Sequence, residues 1–349
     1  MQNYLSPLSS SPSSLTPQQI RLLPKIDLHR HLDCSMRWST LLEIASTLNF
    51  DFPKNPELQQ KHFLVTEPMV NLESVLNKFL IAQKLLASTE ILERLAFEAC
   101  EDAFNDGVRI LELRYAPTFI ADGHPELTFE KIHQAFLKGL ERAKKQMPIA
   151  TGLICILQRT LPLAQVDHVT QFAIENKKTF LALDLADNEE GFEPKAFASH
   201  FETARKAGLR ITVHSGEAPS TKSGQRIQDS IEILGAERIG HGVQVVHNQE
   251  LMNLLIRKNI PLEICPYSNY LTQAFTTFEN HPLQQLYKAN IPLTLNSDDP
   301  GIFASTLSDD YNIAHLYHQF KLEDFKKCNE IAYQHSFISE TEKSNVWKI

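Results

Sequence analysis

The sequence lacks the marks of a membrane-spanning, secreted or nucleotide-phosphate-binding protein. No stretch approaches the roughly 18 consecutive apolar residues of a membrane span. The N-terminus has no basic region followed by an apolar run, so we expect no secretory signal. No G-x-x-x-x-G-K-[ST] occurs, and no G-x-G-x-x-G follows the first predicted strand. The sequence therefore gives no support to a loop that cradles nucleotide phosphates.

Cysteine and positive charge are also scarce. The five cysteines are odd in number, show no pairing pattern and include no C-x-x-C, which favours a reduced, cytoplasmic location and argues against a thiolate zinc site. The net charge of −8 and the lack of a large Lys/Arg block argue against binding to nucleic acid. We expect a small-molecule partner and neither a nucleic-acid nor a membrane partner, and the oligomeric state is left open.

The 349 residues have an ordinary globular composition, with 42% hydrophobic and 22% charged residues. Residues 1–18 are rich in Ser and Pro, which predicts a flexible tail. Helical apolar spacing dominates from 35 to 107, and strand-like and helical segments alternate afterwards. We predict eight strands, at 26–33, 108–115, 149–157, 180–185, 209–213, 238–239, 261–264 and 291–295.

Strands that alternate with helices form right-handed βαβ units and a parallel sheet. Eight such units predict an α/β fold of the closed (β/α)₈ barrel type, also called a TIM barrel, in a single domain over 19–349. The alternative is a doubly wound open sheet. In a barrel the carboxyl ends of the strands meet at one mouth, where the chemistry of such enzymes takes place.

The first strand ends in the segment Asp27-Leu28-His29-Arg30-His31. Alternate side chains of a strand share a face, so His29 and His31 can reach one ion at roughly 2.0–2.1 Å per Zn–N bond. An isolated H-x-H is as well explained by two surface histidines. Its interpretation depends on what the other strand ends carry.

Polar side chains follow most of the other predicted strands. The fifth, sixth and eighth strands end in His214 and Glu217, in His241, and in Asp298 and Asp299. Each has a structural explanation too, since Gly-flanked His241 suits a turn and Asp-Asp-Pro suits a helix start.

Their joint occurrence favours a Zn²⁺ site of three histidines and Asp298, with one position left for water. Such an ion lowers the pKa of bound water to about 7. His241 can then orient the resulting hydroxide or take its proton, and Glu217 can exchange protons, as in hydrolysis.

The chain resembles the adenosine deaminase family of the zinc amidohydrolases from about residue 24 to 311. The resemblance rests on five motifs, KIDLHRHLD (25–33), VHSGEA (213–218), RIGHG (238–242), CPYSN (265–269) and NSDDP (296–300). It implies a (β/α)₈ barrel whose extra helices between strands one and two act as a lid. It also implies one Zn²⁺ per chain, bound by His29, His31, His214 and Asp298.

The resemblance further implies hydrolytic deamination of an adenine nucleoside, from adenosine or deoxyadenosine to the inosine product and ammonia. Glu217 would protonate N1 of the purine, and a zinc-bound hydroxide oriented by His241 and Asp298 would attack C6. Asp299 would bind N7, Asp33 would meet the ribose 5′ region, and His31 would contact the substrate. Phe63, Leu76, Phe79 and Leu80 are candidate lid residues, although core packing explains them equally well.

Two positions depart from the family pattern. Cys34 follows the first motif where the family has Gly, and DLADNE (184–189) replaces D-L-A-G-D-E, which puts Asp187 at a glycine whose N–H meets purine N3. A side chain there can narrow or redirect the pocket. The alternatives are therefore free adenine or a 5′-modified adenosine such as 6-aminodeoxyfutalosine or methylthioadenosine. A third reading is a non-catalytic binding descendant, which the intact site residues disfavour.

Overall fold

The computed structural model describes residues 15–348, and its centre is one parallel sheet of eight strands in the order β1 to β8. The strands are β1 Lys25–His31, β2 Val108–Tyr115, β3 Ala150–Gln158, β4 Phe180–Ala186, β5 Arg210–Ser215, β6 Arg238–His241, β7 Leu262–Ile264 and β8 Leu293–Leu295. Each strand is nearly all buried, because helices cover the outside and side chains fill the inside. The prediction of a (β/α)₈ barrel is confirmed, and the open sheet is excluded.

Helices precede, connect and follow the strands. They are α1 Pro17–Leu22, α2 Trp38–Thr47, α3 Pro56–Phe63, α4 Leu72–Gln83, α5 Thr89–Asn105, α6 Pro117–Ala121, α7 Phe129–Gln146, α8 Leu163–Glu175, α9 Ala198–Ala207, α10 Ser223–Glu232, α11 Gln249–Lys258, α12 Pro266–Leu271, α13 Leu283–Lys288, α14 Pro300–Phe303, α15 Leu307–His318, α16 Leu322–His335 and α17 Glu340–Val346. Two 3₁₀ turns lie at Pro194–Phe197 and Val243–His247. No helix among residues 15–348 is long and apolar enough to cross a membrane.

The predicted strand limits differ from the observed ones where proline or the site intervenes. β7 and β8 are shorter than predicted, and each follows a proline, Pro261 and Pro292, which has no N–H to donate to a ladder. β1 ends at His31 instead of residue 33. β6 runs two residues further than predicted, to His241.

The N-terminal tail was predicted over residues 1–18, and residues 1–14 of it lie outside the described part of the chain. Helix α1 begins inside the rest of that range, at Pro17. Thr16 accepts a hydrogen bond from the Gln19 N–H, and the Gln19 side chain accepts one from the Thr16 N–H, which forms a capping box. Residues 16–18 of the predicted tail thus belong to the cap and the first turn of a helix.

The barrel closes where β8 meets β1, and Asp298 makes that seam. Its N–H donates to the His29 carbonyl at 2.9 Å, and its carbonyl accepts from the His31 N–H at 2.8 Å. The Asn296 side chain also accepts from the Leu28 N–H at 3.0 Å. Asp298 adopts φ +61°, which few residues other than glycine tolerate. The seam thus holds this residue against both β1 histidines.

Helices α2 to α5 lie between β1 and β2, as the sequence predicts. Side chains of α4 cover the mouth of the barrel, and three of the four predicted lid residues, Leu76, Phe79 and Leu80, line the cavity beneath it. Phe63 does not line it. This ring is buried among Trp38, Phe50 and Phe52, which agrees with core packing, the other explanation given for it.

Candidate active site

Three histidines and one carboxylate converge at the carboxyl ends of β1, β5 and β8. His29 Nε2 and His31 Nε2 lie 3.2 Å and 3.4 Å from Asp298 Oδ1. The Nε2 atoms of His31 and His214 lie 3.1 Å apart. These contacts match the roughly 3.3 Å that separates ligands around a tetrahedral ion with bonds of about 2.0–2.1 Å.

The chemistry of the cluster fits a divalent metal. Buried His29 Nε2 lies 3.2 Å from Asp298 Oδ1 but makes no hydrogen bond of good geometry among the described residues, and a cation shared by the two atoms would satisfy both. Burial lowers the pKa of His31 well below its usual range and that of His214 to about 4, so both rings stay neutral, as metal ligands must be. The four groups could hold a metal ion together.

Two carboxylates behind the cluster fix how its rings are presented. Glu263 Oε2 lies 2.6 Å from His29 Nδ1, and Asp184 Oδ2 lies 3.0 Å from His214 Nδ1. Each carboxylate accepts the Nδ1 proton, which leaves Nε2 as the metal-facing atom. Burial opposes ionisation of Glu263, but Arg114 and Arg238 outweigh it and hold its pKa well below the usual range.

Sequence reasoning missed Glu263 and gave Asp184 no role in the site. The available signal was an acidic residue inside an otherwise apolar strand, as in Leu262-Glu263-Ile264. Such a buried charge requires a partner. The sequence does not say which partner it has, because the histidines lie on other strands.

Glu217 and His241 lie side by side next to the cluster. His241 Nε2 lies 3.7 Å from Glu217 Oε2 and 3.8 Å from Asp298 Oδ2. Burial raises the pKa of Glu217, and the Asp298 charge adds to this rise. The Thr272 hydroxyl donates to Glu217 Oε1 at 2.8 Å, so the other oxygen remains to carry a proton.

A further carboxylate, Glu189, holds the backbone on which Glu217 lies. Its Oε2 accepts from the Gly216 N–H at 2.8 Å, and its Oε1 accepts from the N–H groups of Glu217 and Ala218 at 2.9 and 3.3 Å. Three donors on one buried carboxylate fix the turn after β5. Glu189 was quoted in the sequence motif without a role.

These groups open into one cavity of about 240 Å³ under α4. It collects the predicted site residues from five different strand ends, His31, Asp33, Asp187, His214, Glu217, His241, Asp298 and Asp299. His29, the remaining predicted ligand, is fully buried beneath it. Residue predictions drawn from separate motifs thus fall in one place.

Two carboxylate oxygens at the cavity have no hydrogen-bond partner among the described residues, Asp33 Oδ1 and Asp299 Oδ1. Burial raises the pKa of Asp33 to about 7, although its Oδ2 accepts from the Ala116 N–H at 3.1 Å. Burial and the charge of Asp298 raise the pKa of Asp299 well above its usual range. Both groups are placed to bind a polar ligand.

Asp187, at the position where the resemblance implies glycine, adopts φ +85°, in the region that favours glycine. Its Oδ2 accepts from the Thr160 hydroxyl at 2.6 Å and from Gln158 Nε2 at 3.2 Å, and its Oδ1 accepts from the Asn188 N–H at 2.6 Å. These bonds hold an uncommon conformation in place. Asp187 lines the cavity, so its fixed side chain forms part of the cavity wall.

Cys34, the other departure, also lines the cavity and is buried beside Asp299. Burial and the neighbouring carboxylates raise the pKa of its thiol well above the usual range, so it stays neutral. All five cysteines of the chain are free and buried in the structure.

Comparison with known proteins places this geometry in a family. The chain matches the family model described as "Adenosine deaminase" over residues 24–348. The adenosine deaminase of Plasmodium knowlesi is 32% identical over 94% of this chain and 90% of its own length.

Two solved structures share the fold. The N6-mAMP deaminase of Arabidopsis has a TM-score of 0.81 and 27% identity, over 94% of this chain and 98% of its own. An adenine deaminase from Arthrobacter aurescens has a TM-score of 0.85 at 21% identity, over 93% and 97% of the two chains. Because the family model matches nearly the whole of this chain, the chain belongs to the adenosine deaminase family and is an enzyme.

Proposed function

We propose that this enzyme hydrolyses the 6-amino group of adenosine or 2′-deoxyadenosine, giving the inosine product and ammonia. The observation that carries the proposal is the pair of unpartnered, buried carboxylate oxygens on Asp33 and Asp299, on a cavity that also contains Glu217. A nucleoside offers ribose hydroxyl donors to Asp33 and purine ring nitrogens to Asp299 and Glu217. Free adenine would leave Asp33 without a donor, which is costly for a buried carboxylate.

The charge of the cavity supports an uncharged substrate. None of its lining residues in the described part of the chain is Lys or Arg, whereas six are Asp or Glu. A 5′-phosphate would meet carboxylates and no cation, and like charges in a buried site repel strongly. We therefore expect AMP to be a poor substrate. The Arabidopsis relative, in contrast, is named for a nucleotide substrate, N6-mAMP.

The proposed cofactor is one Zn²⁺ per chain, held by His29, His31, His214 and Asp298. When bound, the ion supplies Lewis-acid activation of a water molecule. The choice of zinc rests on three imidazoles and one carboxylate at tetrahedral spacing, since Mg²⁺ and Ca²⁺ prefer oxygen ligands.

The proposed proton steps use this chain's own carboxyl groups. Burial and the nearby Asp298 raise the pKa of Glu217, which favours its protonated form, and this form donates its proton to purine N1, which makes C6 electrophilic. Asp299, also raised in pKa, donates to N7. His241 meets the attacking water from the other side, and Asp33 accepts a ribose hydroxyl.

The two departures from the family pattern shape the wall of the cavity. Asp187 has both oxygens engaged by its own neighbours, so we propose that it limits the space beside the purine and does not bind the substrate by its carboxylate. The apolar lid side chains Leu76 and Phe79 favour one second candidate, a 5′-modified adenosine such as methylthioadenosine.

A substrate panel tests the proposal. Purified, zinc-loaded enzyme is given adenosine, 2′-deoxyadenosine, adenine, AMP and methylthioadenosine, and products are quantified by chromatography. We expect the highest kcat/KM with the two nucleosides. Faster turnover of adenine, AMP or methylthioadenosine than of adenosine contradicts the proposal.

An Asp33→Ala variant sharpens the panel. Loss of a hydrogen bond to a charged group costs about 1.5–3 kcal/mol, which lowers kcat/KM for adenosine about 10- to 150-fold. Methylthioadenosine, which has no 5′-hydroxyl, should lose much less. Equal losses for the two substrates would mean that Asp33 acts on the fold and not on the 5′-hydroxyl.

A further inference from the structure

Three buried side chains behind the site form a line that the proposed proton steps do not use. His281 lies just before α13, Asn269 lies in α12, and His241 ends β6. The Leu283 N–H donates to His281 Nδ1 at 3.1 Å. His281 Nε2 lies 3.1 Å from Asn269 Oδ1, and Asn269 Nδ2 lies 3.2 Å from His241 Nδ1.

The position of every proton in this line follows from the hydrogen bond that the Leu283 N–H donates to His281. A backbone N–H can only donate, so His281 Nδ1 accepts and its single proton lies on Nε2. That proton goes to Asn269 Oδ1, which fixes the orientation of the amide. The amide NH₂ then faces His241 Nδ1 and can only donate. His241 Nδ1 therefore accepts, and the proton of its neutral ring lies on Nε2.

The surroundings keep the line in this state. His281, Asn269 and His241 are all nearly inaccessible to solvent, so no water competes for their hydrogen bonds. Burial, with His318 and His241 nearby, lowers the pKa of His281 well below its usual range, which keeps its ring neutral. Asn269 Nδ2 also lies 3.5 Å from Glu217 Oε1, so its second hydrogen is directed at that oxygen.

We propose that the line Leu283–His281–Asn269 is a positioning relay that holds His241 in the tautomer with its proton on Nε2. His241 Nε2 faces the space between Glu217 Oε2 and Asp298 Oδ2, where the proposed reaction takes place. In this tautomer His241 donates a hydrogen bond to the reacting oxygen and cannot act as its base. Asn269 and His281 are positioning residues, and the inference rests on the proposed function only for the identity of the reacting oxygen.

Nitrogen NMR on the zinc-loaded enzyme reads the tautomer directly. The protein is labelled with ¹⁵N-histidine, and the His241 signals are identified by their loss in a His241→Gln variant. We expect the pattern of a neutral ring protonated at Nε2 at neutral pH. If the unmodified enzyme shows a ring protonated at Nδ1, or a doubly protonated ring, that spectrum by itself overturns the proposal.

An Asn269→Asp variant tests the relay. It puts an acceptor opposite His241 Nδ1, so we expect a proton on that nitrogen in the NMR spectrum. We also expect a 10- to 100-fold lower kcat at unchanged zinc content, the usual range for a residue that orients a catalytic group. An unchanged His241 spectrum in this variant overturns the relay.

The matched control is Thr272→Val, which removes the other hydrogen bond to Glu217 Oε1 and leaves the relay intact. Its His241 spectrum should equal that of the unmodified enzyme, whatever its activity. Failure of the relay is separable from failure of the proposed substrate, because the spectrum needs no substrate and the substrate panel does not depend on the tautomer.

Discussion

Arg114 is the cation that two buried carboxylates of the barrel interior share. Its guanidinium donates to Asp184 Oδ2 and to Glu263 Oε2, both at 2.8 Å, and these are the carboxylates that orient His214 and His29. All three ionic side chains are fully buried. One cation thus balances two anions that would otherwise be strongly disfavoured in the interior.

We expect Arg114→Met to be strongly destabilising, because it leaves two buried carboxylates without their shared partner. The free energy of unfolding should fall by about 3–5 kcal/mol, measured by urea denaturation. The control is Arg142→Met, which breaks a partly exposed pair with Glu93 and should cost no more than about 1 kcal/mol. Similar losses in both variants would contradict the role given to Arg114.

Gly240 leaves room for the ring of His29, a proposed metal ligand. A Cβ at this position would lie 2.9 Å from His29 Cε1 and 3.2 Å from the Cα of His214. We therefore expect Gly240→Ala to displace these rings and to weaken zinc binding about 10-fold or more, measured by competition with a chelating dye.

The matched control for Gly240 is Gly224→Ala in α10. A Cβ there meets one atom, Asn248 Nδ2, at an ordinary 3.4 Å. Zinc affinity should not change in this variant. Equal zinc affinity in both variants would show that the space at Gly240 does not govern the cluster.

At the scale of elements, α7 is joined to the barrel by a buried histidine. His133 Nδ1 lies 2.9 Å from the Tyr115 hydroxyl on β2, and its Nε2 lies 2.7 Å from the Thr179 hydroxyl just before β4. Burial lowers the pKa of His133 from 6.5 to about 4. The helix therefore packs on the sheet with a neutral imidazole.

This shift makes stability depend on pH with a defined sign. Between pH 6.5 and about 4 the unfolded chain binds a proton that folded His133 does not, so acid destabilises the protein by up to about 3 kcal/mol through this group. Over that pH range, the unfolding free energy of the His133→Gln variant should fall by less than that of the unmodified protein. His168→Gln, at an exposed histidine of α8, is the control and should lose as much as the unmodified protein.

Elements were predictable from the sequence to the extent that their signal is local. The strand Ile149 to Leu157 is a long apolar run that needs no partner to be recognised, and His29 and His214 stand where such runs end. The relay residue His281 gives no such signal, because its partners come from α12 and β6. Contacts of this kind depend on register and packing, which a single sequence does not encode locally.

At the scale of the whole molecule, the proposed metal cluster and the barrel seam share one residue, Asp298. Asp298 supplies a predicted ligand and also the backbone hydrogen bonds between β8 and β1. An ion bound by β1, β5 and β8 would therefore join the two ends of the sheet. Anything that binds the folded state alone stabilises it.

Removal of zinc should lower the melting temperature. An ion at about 1,000 times its Kd contributes about 4 kcal/mol, which a chelator removes and added Zn²⁺ restores. Scanning calorimetry with and without chelator measures the difference. A His31→Ala variant should melt at one temperature in both conditions, and a chelator effect of full size in that variant would contradict the ligand assignment.

The seam also has a consequence for biosynthesis. His29 and His31 are synthesised long before Asp298, which completes their proposed cluster and closes the barrel. A nascent chain thus has an open sheet edge and an incomplete set of proposed ligands until β8 has been made. Binding of an ion by all four groups therefore requires the chain through Asp298, and a chain truncated before β8 would lack both the closure of the barrel and the fourth proposed ligand.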